Sequence, residues 1–123
     1  MDAEELRAKY AAGERNFNAI LLCEANLSRI DLSGANFSEA ILSLTNMSGT
    51  NLSGANMRKA KLNVARLSGA NLHKANLSGA ILNVANLVRA DLSGAQLVDA
   101  TLIRAELIRA DLSGANLSGA NLS

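Results

Sequence analysis

At 123 residues the chain is the length of one domain, and 12 Lys and Arg against 11 Asp and Glu leave a net charge of +1. That balance excludes a global field that would steer nucleic acid or an anionic membrane onto the protein. Hydrophobic residues reach 49%, mostly Leu and Ala, with no Pro and a single cysteine, Cys23, which has no internal disulfide partner, so a reducing compartment is expected.

Asp2 to Ala12 predicts a short helix. Asp2, Glu4 and Glu5 suit its N-terminal end, Gly13 is a natural stop, and Leu6 and Tyr10, four apart, share one face. Three turns are barely stable alone, so the helix is expected to dock that face on the rest of the chain and cap it. The charged N-terminus has no apolar core of a signal peptide, and no run approaches 18 apolar residues. A cytoplasmic location is therefore expected.

From residue 16 a five-residue beat, Ala-(Asn/Asp)-Leu-Ser-Gly, runs to the end, as in ADLSGANLSGANLS at Ala110 to Ser123. Its central residues recur at every fifth position from Phe17 to Leu122 through 22 repeats without a slip. Five residues advance about 500° on an α-helix, so the leucines would scatter around it. On a flat strand an odd period sends them to alternate faces. A chain that turns a corner once per pentad points every leucine at a common axis, and its coils stack as a solenoid. RADLSGA recurs twenty residues apart at Arg89 and Arg109, as do Phe17 and Phe37, and Leu44, Val64 and Val84. Twenty residues is four pentads, so a square coil is the simplest closure. The absence of Pro suits a ladder in which each coil donates hydrogen bonds.

The A(N/D)LSG array resembles the pentapeptide-repeat family over residues 16 to 123. The resemblance implies an all-β solenoid, a right-handed quadrilateral β-helix, here of about 5.5 coils and roughly 26 Å long at the strand spacing. It divides the chain into a capping helix and transition, 1–15, and the β-helix, 16–123. It also implies that the central residue and the one two before it point inward, while the other three point outward. The central set is then eighteen Leu, two Phe and two Met, and the small inward position is Ala except at Arg15, Ile20, Ile30, Thr45 and Thr50. Arg15 cannot be buried without a partner, which makes the first pentad a transition. The resemblance points to a prokaryotic source, cyanobacterial in particular.

Asn or Asp precedes the central residue in 14 of the 22 repeats, and stacked outward these side chains are expected to form amide ladders along the column. Gly occupies the corner two after the centre in eight repeats, where φ is expected to be positive. Glu24, Arg29, Glu39, Lys59, Lys74, Arg89, Asp99, Arg104 and Arg109 occupy other corners, and the family's turns are of more than one type. The array stops at Ser123 in mid-repeat. Either that end is covered by a partner or a second copy, or the natural protein continues past it.

The side built from the pentads centred on 22, 42, 62, 82 and 102 departs most from the polar norm. Leu21, Ile41 and Ile81 precede its centres and Leu44, Val64 and Val84 fill its corners, in two apolar columns interrupted by Lys61. Contiguous exposed apolar area marks an interface. Val88, Val98, Ile103 and Ile108 suggest a weaker cluster toward the C-terminal end. The expected partner is an unidentified protein or a second copy, through the apolar face or the open C-terminal end, with no nucleic acid and no membrane.

Catalytic chemistry has little to build on. His73 is the lone histidine at an outward position, and the serines have no histidine and aspartate to activate them. Cys23 has no histidine nearby in the register, and the N-terminal helix is expected to cover it. No Cys/His spacing suits a metal, and the acids and glycines fall at the wrong offsets for a calcium β-roll. The reading is a non-catalytic structural or interaction module, without cofactor, catalytic centre or metal. The alternative is inhibition of a nucleic-acid enzyme such as DNA gyrase by DNA mimicry, known for some family members. That needs a strongly acidic column, whereas Asp31, Asp91 and Asp111 are interrupted by Asn51 and Asn71. An ice-binding face lacks regular outward Thr columns, and the basic run Arg58, Lys59, Lys61, Arg66 and Lys74 is spread over several faces without aromatics for base stacking.

Overall fold

The computed structural model describes the whole chain, Met1–Ser123. Helix α1 spans Ala3–Ala11. Asp2 caps it by accepting the Glu5 N–H at 2.9 Å, and Glu4 and Glu5 lie in its first turn, where the helix dipole favours them. It ends in a Schellman motif: Gly13, at φ +102°, donates to the Tyr10 carbonyl, and Glu14 donates to that of Lys9. Leu6 is fully buried and joins the core of the array. Tyr10 donates its hydroxyl to the Ser33 carbonyl at 2.7 Å. Arg15 stays exposed, its guanidinium 3.6 Å from the centre of the Tyr10 ring and donating to the Tyr10 and Glu14 carbonyls.

From Asn16 onward the backbone repeats one pattern. The residue before each centre bridges in parallel to the residue twenty positions on, from Asn16↔Asn36 to Thr101↔Asn121. The pentad Asn71–Ala75 shows where its five N–H groups go. Asn71 donates back to the Thr50 carbonyl, whereas Leu72 and Lys74 donate forward to those of Asp91 and Ser93. Ala75 donates to Leu72 across the turn, and His73 donates to the Asn71 side chain at 3.0 Å. All five N–H groups of the pentad are thereby satisfied without a continuous strand.

That last bond overturns the expected amide ladders. Every Asn or Asp before a centre accepts, through Oδ1, the N–H two residues on in its own pentad. One amide contact crosses between coils in this column, from Asn36 to Asn16 at 3.3 Å. The reason is local competition: the N–H after the centre has no backbone acceptor, and a short carboxamide two residues earlier reaches it.

The expectation of more than one turn type is also corrected. Each corner from Ala19 to Gly119 has φ between +57° and +73°, whether glycine or not. A positive φ at the third turn residue alone, closed by bonds such as Ala75 N–H to Leu72 C=O, defines a type II turn.

The core is one column of 31 buried hydrophobic residues. Central residues from Phe17 to Leu102 are buried, and the Phe17 and Phe37 rings stack with centroids 5.5 Å apart. Thr45 and Thr50 take two small inward positions because each hydroxyl finds a carbonyl, Leu42 at 2.8 Å and Leu27 at 2.5 Å. Ile20 and Ile30 are half-buried in the first coil and pack against the core. Leu107, Leu112 and Leu117 are half-buried, and Leu122 is exposed.

Candidate interaction surface

The twenty-residue register brings the six aliphatics of the apolar face together. Leu21, Ile41, Lys61, Ile81 and Thr101 form one bridged column on the flat of the side. Glu24, Leu44, Val64, Val84 and Arg104 form the corner column beside it, each linked by its N–H to the next coil. Leu21 is 61% exposed, Leu44 and Val84 51% and Val64 43%, whereas Ile41 and Ile81 are half-buried. Adjacent coils are about 4.8 Å apart, which makes Leu21 and Ile41 stacked neighbours in the first column and Leu44, Val64 and Val84 successive neighbours in the second.

Leu44, Val64 and Val84 hold φ of +62°, +61° and +59°. Left-handed backbone costs an L-residue roughly 1–2 kcal/mol, and a β-branched side chain is the least suited to it. Eight equivalent corners avoid that cost with glycine. Some glycines have a packing reason as well: a Cβ at Gly49, Gly79 or Gly94 would press on the stem of Arg29, Lys59 or Lys74 from the preceding coil. No such constraint requires valine at 64 and 84.

This side also lacks the local caps. Cys23, Ser43, Asn63 and Asn83 have no Asn or Asp two residues earlier to accept their N–H. Asn83 instead reaches forward to accept the Ile103 N–H at 3.1 Å, and Asn63 accepts the Ser43 hydroxyl at 2.8 Å. The buried Thr101 Oγ1 has no hydrogen-bond partner. Cys23 is exposed rather than covered by the helix, since α1 docks through Leu6 and Tyr10. A shallow pocket opens between the start of α1 and the first coil, lined by Met1, Asp2, Ala3, Leu21, Cys23 and Glu24.

The suggested C-terminal cluster is dispersed by the register. Val88 and Ile108 are stacked neighbours, but Val98 and Ile103 belong to two other sides.

One polar grouping was missed in the sequence. His73 Nδ1 lies 2.8 Å from Ser93 Oγ, which donates to Asp91 Oδ1 at 2.5 Å. The signal was the twenty-residue step from 73 to 93. The order is the reverse of an activated serine, because the hydroxyl proton points at the carboxylate and the imidazole donates. On the same side Ser33 holds the Asp31 carboxyl below its ordinary pKa through its N–H and then its hydroxyl, with Arg15 adding attraction. Asp111 is likewise lowered, first by the Ser113 hydroxyl, then by its N–H, with His73 assisting.

A family model described as pentapeptide repeats, in 8 copies, matches residues 16–54, 45–83 and 85–123. A search of curated proteins found no match. Among solved structures the chain is similar to a pentapeptide repeat protein (Rfr23) from the cyanobacterium Cyanothece 51142, with a TM-score of 0.91 and 26% identity, over 98% of this chain and 95% of that one. It is also similar to a pentapeptide repeat protein from the Arabidopsis thaliana thylakoid lumen, with a TM-score of 0.74 and 33% identity, over 76% of this chain and 66% of that one. QnrB1, a plasmid-mediated fluoroquinolone resistance protein, matches with a TM-score of 0.54 and 23% identity over 85% of this chain and 64% of its own, a likeness of fold alone.

Proposed function

The chain belongs to the pentapeptide-repeat family, with its right-handed quadrilateral β-helix, and from that premise we propose that it is a non-catalytic module that binds protein through the aliphatic side. One observation carries the reading. Val64 and Val84 are exposed, β-branched and left-handed, at corners where glycine serves the fold at lower cost. Backbone strain with no return to the core belongs to a surface in use. In the same reading α1 caps the N-terminal end of about 5.5 coils, supported by the burial of Leu6 and the bond from Tyr10 to Ser33.

Immobilised wild-type protein and the triple variant Leu44→Gly, Val64→Gly, Val84→Gly should be compared for what they retain from the soluble proteins of the source cells. The reading expects a discrete protein on the wild type that is lost from the variant, with the variant's melting temperature unchanged or higher. Identical retention by both would overturn it.

A further inference from the structure

We propose that the partner seated on this side is a second copy of the chain, paired antiparallel along the corner column with Val64 on the two-fold axis. This rests on the reading of the aliphatic side as a binding surface and names its occupant. The corner column reads Glu24, Leu44, Val64, Val84, Arg104, an acid and a base enclosing three aliphatics at equal steps. Reversed end to end, that row is complementary to itself. Glu24 meets the partner's Arg104, Leu44 meets the partner's Val84, and Val64 meets the partner's Val64. A two-fold contact requires this self-matching.

A parallel pairing sets Glu24 against the partner's Glu24 and Arg104 against the partner's Arg104. A shift of one coil in the antiparallel pairing sets one of the two charges against an aliphatic and leaves the other without a partner. Orientation and register are therefore both specified by the two terminal charges. Lys61 lies off the corner, in the flat column, so the edge contact does not bring it against its own copy. Glu24 and Arg104 are exposed, about four coil steps or roughly 19 Å apart. An edge of three aliphatics per copy falls short of the roughly 800 Å² per partner of a stable complex. The dimer is therefore in concentration-dependent exchange with monomer.

Sedimentation velocity on the full chain, from about 10 μM to about 1 mM, tests the pairing. The wild type should shift from monomer toward dimer across that range. E24R alone and R104E alone each create two like-charged contacts and should weaken the dimer roughly three- to tenfold, less at high salt. The double variant E24R/R104E should recover it. In a C23S background, V64C should cross-link rapidly on mild oxidation, because a two-fold axis brings its Cα within disulfide reach, whereas S53C on another side should not. A wild type that stays monomeric throughout, or a V64C that cross-links no faster than S53C, overturns the self-pairing. Dimerisation without recovery in the double variant overturns the antiparallel register. Retention of a protein other than this chain by the wild type and not by the triple glycine variant, together with a wild type that stays monomeric, overturns the self-pairing and keeps the aliphatic side as a binding surface, so the two readings are separable.

Discussion

At the scale of single residues, the corner positions turn a backbone angle into a measurable cost. Val64→Gly removes a strained, exposed β-branched residue and should raise stability toward the roughly 1–2 kcal/mol of the left-handed penalty, less the entropy glycine returns to the unfolded chain. Denaturant titration of the monomeric protein checks it. Thr101→Val replaces a buried hydroxyl lacking a partner with an isostere and should stabilise the fold by about 1 kcal/mol, read in the same way. Asp31 and Asp111 both have folded pKa values below the ordinary carboxylate. Their contribution is present above the unfolded pKa and is lost as pH falls through the folded one. Asn in their place keeps the bond to the serine N–H, as it does throughout the array, and cannot titrate. D31N/D111N should therefore flatten the acid limb of the melting temperature against pH while leaving neutral stability nearly unchanged.

The pentad itself is where most of the fold was legible. A period of five fits neither helix nor strand, so the leucines alone imply a corner in each repeat, and the twenty-residue echoes imply four corners to a coil. Burying a leucine is worth about 1.5–3 kcal/mol, and an aspartate in its place adds an unpaired charge to a dry column. Leu72→Asp should unfold the array, whereas Ser78→Asp, outward and part-buried, should leave the melting temperature within a few degrees. Comparable stability of the two would break the inward and outward assignment. Two features were not legible for physical reasons. An outward Asn can bond its own turn or its neighbour in the next coil, and composition does not separate the uses, whereas the idle N–H after the centre does. The corners looked mixed because L-residues avoid positive φ, yet Lys74 and Gly69 adopt nearly the same angle, since the repeat fixes the turn and the side chain conforms to it.

For the molecule as a whole, surface chemistry is a matter of stacking. His73, Ser93 and Asp91 meet because of a twenty-residue step, and so do the six aliphatics of the apolar side. The likeness of fold to a fluoroquinolone resistance protein does not carry an acidic column with it: 11 acidic residues face 12 basic ones, and Asp31, Asp91 and Asp111 are interrupted by neutral neighbours. Supercoiling by DNA gyrase should accordingly be unaffected by micromolar protein, and potent inhibition there would reverse the choice of surface.

The constant bridge of twenty residues has a consequence for how such a gene can change length. Losing one pentad, Ala65 to Gly69 for instance, leaves every leucine pointing inward and every turn intact, so the product should still fold. Downstream of the cut, however, the column is rotated by a quarter turn, and Val84 then stacks above Lys59 instead of Val64. Losing four pentads, Ala65 to Val84, shortens the column without rotating it and sets Arg104 above Val64. Insertions and deletions in steps of five are silent to the interior and rewrite the stacking of the exterior, while steps of twenty keep each outward column in register. The array can therefore reshuffle its outward surface by frame-preserving duplication at almost no risk to its core.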